Sequence, residues 1–360
     1  MAKKKLTSSK KKNNNGFLKK LIIALLAIIL LSGGSAFFYF YQKVFKANVI
    51  TSNGETAYLY IKSDASFQDV VNQLSERQML HNLESFVWLA EFFEYQKAVK
   101  PGRYKIKQGM NNKDLVKLLK SGKQEPLRIT INNFRTKEIL AGKIGALLEA
   151  DSLSIIQKLS SDDFENEFGL NANQAIAFFQ PNTYEFYWNT KADGFIKKLS
   201  SFYFDFWNAE RVQKAKAMGL TKAEVTTLAS IVQLETLKNE EMPRVAGAYL
   251  NRLRIGQKLQ ADPTVVFASQ QFTIKRVKGK SLLETDSPYN TYRYAGLPPG
   301  PIYLPKPVAI DAVLNAEKHN YFYFCARPDG SGYHIFAHSY EQHLQNARAY
   351  HRNLNKRGIN

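Results

Sequence analysis

An uncharged stretch near the N-terminus constrains the fold more than any other feature of the chain. Residues 21–41 carry no formal charge, and a helix of this length can cross a bilayer core of about 30 Å. Residues 1–20 contain eight Lys and no acidic residue, and positive charge before a span keeps that side in the cytoplasm. We therefore predict a basic cytoplasmic tail (1–20), one transmembrane helix (21–41) in the cytoplasmic membrane, and an extracytoplasmic remainder from about residue 46.

A cleaved signal peptide is the competing interpretation of this segment. Gly33, Gly34, Ser35 and Ala36 are small enough to form a cleavage site. The aromatic run at residues 37–41 favours a retained anchor, because aromatic side chains concentrate at membrane interfaces. We therefore expect a single-pass membrane protein.

The charge and cysteine content narrow the function classes. The formal net charge is +19, and the N-terminal lysines account for eight of it, which leaves +11 on a remainder with interspersed acids. This distribution does not favour nucleic-acid binding, whereas a basic exterior suits an anionic membrane surface or a polymer that carries carboxylates. The single cysteine, Cys325, excludes an intrachain disulfide, and its aromatic neighbours predict a buried strand position.

Beyond the predicted membrane segment, alternation and periodicity indicate two domains, residues 46–125 and residues 126–352, with an α+β fold. The first is predicted to contain a strand at 56–62 and helices at 66–76, 83–94 and 112–120. The second is predicted to contain strands at 127–132 and 320–325 and helices at 135–149, 222–238 and 340–355.

One carboxylate, Glu235, stands out in the predicted helix 222–238 because its neighbours are apolar. At helical period, Glu235 flanks the stripe that faces the protein interior. A carboxyl group held among apolar side chains has a raised pKa and can stay protonated near neutrality, as a general acid requires. The alternative is an ordinary Glu at the solvent boundary of a helix. Asp262 is the nearest other candidate acid, although Asp before Pro usually occupies a turn.

Other chemistries find little support in the sequence. His334 and His338 have a spacing of four, but they lie in an alternating, strand-like segment without the Glu of a metalloprotease helix. Cys325 lacks a recognisable base partner in the sequence, and no glycine-rich phosphate loop occurs. We therefore expect no metal and no cofactor.

An ordered set of motifs extends across roughly residues 45–350. The motifs are Pro101-Gly102-Arg103-Tyr104, Gln180-Pro181-Asn182-Thr183-Tyr184, residues 228–236, Asn251-Arg252-Leu253, residues 259–265, residues 287–292 and residues 296–302. In kind and in order they resemble the motifs of the YceG-like (MltG) family of endolytic peptidoglycan lytic transglycosylases. Two positions depart from the family pattern: Gln233 replaces a frequent Glu, and Asn182 replaces a frequent Asp. Neither change removes Glu235.

The resemblance implies that residues 46–125 form a LysM-like domain and residues 126–352 the catalytic domain. The first domain would hold glycan beside the cleft, or else serve only as a small packing domain. The resemblance also implies a peptidoglycan substrate, cuts within nascent strands that end their elongation, and association with peptidoglycan synthases (penicillin-binding proteins).

The implied mechanism uses a single carboxylate. Glu235 would protonate the oxygen between N-acetylmuramic acid (MurNAc) and N-acetylglucosamine (GlcNAc), and would then accept the proton of the muramoyl C6 hydroxyl, which closes a 1,6-anhydro ring. Aromatic faces, amides and hydroxyls would hold the sugars. The residues expected to do so are Thr236, Asn251, Gln260, Tyr289, Asn290, Thr291 and Tyr292. Residues 289–292 suit a structural turn after Pro288 equally well, and Asn251 and Gln260 could instead satisfy buried backbone groups.

Two further functions stay open on the sequence. A membrane-held glycan-binding scaffold would lack activity, although retention of Glu235 and the surrounding motifs favours the enzyme. A hydrolytic muramidase would need a second carboxylate in the cleft, and Asp262 is its candidate.

Overall fold

The computed structural model describes residues 15–274 and 283–356. The chain divides between Glu125 and Pro126 into two compact units.

The first unit begins with a long apolar helix. Helix α1 spans Asn15–Phe45, and its side chains over the predicted span are exposed. Its segment Gly16–Phe45 has 30 residues and is long and apolar enough to cross a membrane, since it would measure about 45 Å at 1.5 Å per residue. The helix is consistent with the predicted single-pass anchor and extends beyond both ends of residues 21–41. Most of the predicted basic tail, residues 1–14, lies outside the described residues.

The remainder of the first unit packs three helices against a two-stranded antiparallel sheet. Its elements are β1 (Thr56–Ile61), α2 (Phe67–Glu76), α3 (Leu83–Phe92), a 3₁₀ helix (Tyr95–Lys97), β2 (Gly102–Lys107) and α4 (Asn112–Ser121). The register pairs Thr56 with Lys107 and Ile61 with Gly102. Ser66, Asn82 and Asn111 cap the three helices, since each side chain accepts from a backbone N–H of the first turn. The one strand and the three helices predicted here are confirmed to within a few residues, β2 was not predicted, and the LysM-like assignment stays a prediction.

The second unit is mainly helical and contains two separate antiparallel strand pairs, β3 with β4 and β5 with β6. In chain order its elements are β3 (Leu127–Ile131), α5 (Lys137–Gly145), α6 (Ser152–Leu159), α7 (Asp162–Phe168), a 3₁₀ helix (Ala175–Phe178), β4 (Asn182–Phe186), α8 (Ala192–Phe206), α9 (Ala209–Ala217), α10 (Lys222–Glu235), α11 (Met242–Arg254), α12 (Asp262–Ala268), α13 (Pro307–Leu314), β5 (Tyr323–Ala326), β6 (His334–Ala337) and α14 (Tyr340–Lys356). The expected mixture of helices and strands is confirmed. Cys325 lies on a strand, as predicted, but it is half-buried and does not belong to the buried core.

Helix α10 forms the centre of this unit. All residues from Val225 to Val232 are buried, and α10 packs against α11, α12 and α13. Thr221 and Glu224 form a capping box at its start, in which each side chain satisfies a backbone N–H that the first turn leaves free. The helix ends at Glu235, because Thr236 adopts an extended conformation. The predicted helix 222–238 is therefore three residues too long, and the correct end places Glu235 in the last turn.

The loop at residues 296–302 holds α10 in place. The backbone N–H of Ile302 donates to Ser230 Oγ of α10 at 3.1 Å. At Gly300 a Cβ atom would lie 2.0 Å from the carbonyl oxygen of Asn173, so only glycine allows the chain to approach this closely. The loop is therefore tied to the middle of α10 by a hydrogen bond and packs closely against the chain at Asn173.

Candidate active site

A cavity of about 400 Å³ opens at the C-terminal end of α10. Helices α10, α11 and α12 form one side of it, and β5, β6 and α14 form the other. Its lining consists of Glu235, Tyr249, Arg252, Leu259, Gln260, Asp262, Tyr292, Tyr323, Phe324, Cys325, Ala326, His334, Tyr340 and His343.

Glu235 projects into this cavity from the last turn of α10. Tyr249, on the facing helix α11, donates its hydroxyl to Glu235 Oε1 at 2.6 Å. The pKa of Glu235 is raised to about 7. Burial is the largest cause of the rise, the hydrogen bond from Tyr249 opposes it, the charge of Asp262 adds to it, and the charge of Arg252 opposes it. The carboxyl group therefore exists in both protonation states near neutral pH.

Arg252 lies one turn after Tyr249 on α11 and is buried. Its Nε donates to the carbonyl of Phe322 at 2.6 Å, and its Nη1 donates to the carbonyl of Leu259. These bonds join α11 to the chain before β5 and to the segment before α12. Arg252 thereby fixes the width of the cavity and places a positive charge beside Glu235.

Asp262 occupies the first position of α12 and not an isolated turn. Its Oδ1 accepts a hydrogen bond from the Tyr292 hydroxyl at 2.7 Å. Both residues line the cavity that contains Glu235. The cavity therefore holds a second carboxyl group, the one that the sequence had suggested as a candidate.

Gln260 reaches the same cavity through an uncommon backbone conformation. Its φ is +49°, a region that non-glycine residues seldom adopt, and its N–H donates to the carbonyl of Thr291 at 3.1 Å. Of the eight residues predicted for the site, Glu235, Gln260 and Tyr292 line the cavity together.

Asn290 and Thr291 are fully buried and hold the loop that carries Tyr292. Asn290 Nδ2 donates to the carbonyls of Leu283 and Thr285 at 2.9 and 2.8 Å. Thr291 Oγ1 accepts from the N–H of Ala261 at 3.0 Å. These contacts position Asp262 and Tyr292, and sugar binding by Asn290 and Thr291 stays a prediction.

Tyr289 lies outside the cavity lining, and its ring packs against Phe267, with 4.7 Å between centroids. Asn251 is also engaged within the protein: its Nδ2 donates to the carbonyls of His319 and Tyr321 at 2.8 and 3.0 Å. Asn251 lines a separate, larger surface hollow on the other side of α11. Substrate contact by these two residues likewise stays a prediction.

Thr236 belongs to a buried network behind Glu235. Its hydroxyl donates to Glu241 Oε2 at 3.0 Å. The same oxygen lies 2.7 Å from Nδ1 of His334, and Glu241 Oε1 accepts from the His334 N–H at 2.7 Å. Glu241 therefore ties the end of α10 to strand β6, so Thr236 orients the helix end that carries Glu235.

The YceG-like family matches residues 59–349, which is most of the chain. The chain belongs to the YceG-like family. The resemblance identified from the sequence motifs is thereby confirmed.

Two relatives are named endolytic murein transglycosylase. One, from Bacillus subtilis strain 168, is 26% identical over 322 residues, which cover 84% of this chain and 87% of the relative. The other, from Streptococcus pneumoniae serotype 2, is 26% identical over 326 residues, which cover 79% of this chain and 57% of the relative.

A crystal structure of a yceG-like protein from Listeria monocytogenes has the same fold. It matches with a TM-score of 0.53 and 24% identity, over 81% of this chain and 98% of that chain.

In this YceG-like chain, several cavity residues were not predicted from the sequence, and four of them bear directly on the proposed chemistry. Tyr323, Tyr340 and His343 form an aromatic wall, with the Tyr323 and His343 rings stacked at 5.5 Å between centroids. Tyr249 is the fourth and the only direct partner of Glu235 among them. A local signal exists for Tyr249, since it precedes the recognised Asn251-Arg252-Leu253 motif and shares a helix face with Arg252.

His334 and His338 both make contacts within the protein. His334 pairs with Glu241, and His338 Nδ1 lies 3.0 Å from the carbonyl of Asn320. Within residues 15–274 and 283–356, no group of three or more His, Cys, Asp or Glu side chains is arranged to hold a metal ion.

Proposed function

We propose that this chain is a membrane-anchored endolytic murein transglycosylase. It would cleave the β-1,4 bond between MurNAc and GlcNAc in nascent peptidoglycan and leave 1,6-anhydro-MurNAc ends. The observation that carries this proposal is the Glu235 carboxyl group, which lies in a cavity of sugar size, is hydrogen-bonded by Tyr249, and has a pKa of about 7. The family and the printed names of two relatives agree with it.

In the first chemical step, protonated Glu235 transfers its proton to the glycosidic oxygen. The bond between that oxygen and the muramoyl anomeric carbon breaks, and the GlcNAc portion leaves with a free 4-hydroxyl. Tyr249 remains hydrogen-bonded to Glu235 and stabilises the carboxylate that forms, because a hydrogen bond to a charged acceptor is stronger than one to a neutral acceptor.

In the second step, the ionised Glu235 accepts the proton of the muramoyl C6 hydroxyl while that oxygen bonds to the anomeric carbon. Both reacting groups belong to one sugar, so correct positioning replaces a separate nucleophile. The aromatic wall of Tyr323, Tyr340 and His343 supplies apolar faces for the sugar rings. Glu235 ends the cycle protonated, and no water is consumed.

The anchor sets where the reaction takes place. With its N-terminus in the cytoplasm, α1 would hold the second unit outside the membrane, near the surface where new glycan strands emerge. Cuts within such strands would end their elongation. An enzyme that makes these cuts would lie near the synthases that extend the strands.

The test is mass spectrometry of glycan strands digested by the full chain in heavy-oxygen water. We expect muropeptides that end in anhydro-MurNAc, lighter by one water than reducing ends and free of the heavy isotope. Glu235→Gln should abolish cleavage, whereas Glu165→Gln, an exposed acid on α7, should leave it unchanged.

Asp262 provides the specific alternative outcome, since a hydrolytic muramidase uses a second carboxyl group to activate water. Reducing ends that carry heavy oxygen would refute the transglycosylase and assign Asp262 as that group. Absence of cleavage on nascent, uncrosslinked strands by the wild-type chain would instead indicate a binding scaffold.

A further inference from the structure

A second hollow, in the first unit, has the chemistry of a lipid site. It lies between the end of α3 and the face of α4, has a volume of about 450 Å³, and is lined by Phe93, Lys113, Val116, Lys117, Lys120 and Ser121. Among these described lining residues three are lysines and none is acidic. We propose that this hollow binds an anionic phospholipid of the membrane that α1 crosses.

The direction of α3 relative to α1 supports this assignment. Near the start of α3, Ser85 Oγ accepts from Nδ2 of Asn112, which also donates to the carbonyl of Lys43 in α1. Three residues further along α3, the Trp88 ring lies 5.5 Å from that of Phe40. Helix α3 therefore runs back along α1 toward the predicted membrane span.

The end of α3 is strongly apolar at its surface. Phe92 stacks on Trp88 at 5.8 Å between centroids and is 70% exposed, and Phe93 is also exposed. Trp88 packs beside Phe40, within the aromatic run that is expected at the membrane interface. Phe92 and Phe93 lie beyond Trp88 in the direction of the bilayer. We therefore expect their exposed rings to contact the apolar part of the membrane.

Helix α4 runs in the same direction and carries the positive charge. Lys113 lies 5.0 Å from the Phe45 ring centroid at the outer end of α1, and Lys120 Nζ donates to the carbonyl of Phe93 at 2.5 Å. Lys113, Lys117 and Lys120 follow helical spacing on one exposed face. The row of lysines thus leads from the end of the anchor toward the exposed aromatic residues.

The combination of exposed aromatic rings and a row of lysines fits the binding of one anionic phospholipid molecule. Phe93 offers apolar contact for the glycerol and upper acyl region, and the three lysines line the hollow and would bind the phosphate. Of the nearby acids, Glu94 already pairs with Lys97 at 2.5 Å, while Glu91 and Asp114 are exposed and do not line the hollow. This inference rests on the anchoring part of the proposed function and is independent of the chemistry at Glu235.

The test uses the full chain in nanodiscs that contain a trace of a photoactivatable phospholipid, followed by peptide mass spectrometry. We expect phosphatidylglycerol probes to label residues 92–121 more than phosphatidylcholine probes do. Changing Lys113, Lys117 and Lys120 together to Gln should lower that preference about fivefold for each lysine removed. A matched variant, with Lys197, Lys216 and Lys318 changed to Gln on exposed positions of the second unit, should keep the preference.

Labelling of residues 21–41 by both probes separates the possible failures. If α1 is labelled and residues 92–121 are labelled equally by both probes, or not at all, the lipid site is refuted while the anchor stands. If α1 is unlabelled, the anchor itself is refuted, and the lipid site with it.

Discussion

Tyr249→Phe is the change that tests the site most directly, because it removes one hydroxyl and leaves a ring of the same shape. The hydroxyl donates to Glu235 Oε1 at 2.6 Å and lowers the pKa of Glu235 against the effect of burial. A hydrogen bond to a charged group contributes about 1.5 to 3 kcal/mol, and one pKa unit corresponds to about 1.4 kcal/mol. Loss of the bond should therefore raise the pKa of Glu235 from about 7 by about 1 to 2 units.

The assay is the pH profile of kcat/KM on uncrosslinked glycan strands. The first step needs protonated Glu235, so the rate falls above its pKa, and in Tyr249→Phe that alkaline limb should move to higher pH by about 1 to 2 units. Tyr292→Phe is the matched control, because its hydroxyl binds Asp262 and not Glu235, and its limb should stay in place. An unmoved or lowered limb in Tyr249→Phe would refute Glu235 as the acid.

Three further changes probe the same region. Asp262→Asn removes a charge that raises the pKa of Glu235, so the alkaline limb of the kcat/KM profile should move to lower pH. The products should still end in anhydro-MurNAc, which mass spectrometry checks. Glu235→Gln should stabilise the fold at pH 8 by about 1 to 3 kcal/mol. The pKa of Glu235 in the wild type rises from 4.5 to about 7 on folding, so the wild type loses stability as the pH rises from about 4.5 to 7. Near pH 4 the group is protonated in both the folded and the unfolded state, so the difference in Tm between Glu235→Gln and the wild type should vanish. Glu241→Gln weakens the bonds to Thr236 and His334 and should cost roughly 2 kcal/mol, which a lower Tm would show and an unchanged Tm would contradict.

Local signals were sufficient for α10 and for Glu235, whereas most of the other helices of the second unit, α11 and α12 among them, were not predicted. The apolar stripe of α10 predicted a buried helix, and the carboxyl group at its flank reaches the cavity. The end of α10 was misplaced because the extended conformation of Thr236 depends on its contact with Glu241. That contact belongs to the tertiary structure and has no counterpart in helical periodicity.

The partners of the site were harder to predict, because residue type does not reveal which polar group a side chain meets. An Asn amide pairs equally well with a sugar hydroxyl and with a backbone carbonyl, and Asn290 and Asn251 both bind carbonyls. Tyr249 comes 14 residues after Glu235, and only the packing of α10 on α11 brings them together. The order of the motifs identified the family, but it could not show which of these residues line the cavity and which support the chain around it.

A carboxyl group that acts first as acid and then as base must give up a proton and take it back within one turnover. A pKa far above the working pH would favour the first state and slow the first transfer, and a pKa far below it would leave the enzyme ionised at the start. The cavity balances these demands with opposed neighbours: burial and Asp262 raise the pKa, while Tyr249 and Arg252 lower it. Arg252 and Tyr249 lie on one face of α11. A shift of this helix against α10 would therefore change both of the interactions that lower the pKa of Glu235. In the proposed mechanism, the packing that Arg252 maintains toward Phe322 and Leu259 would therefore influence the protonation state of Glu235 as well as the width of the cavity.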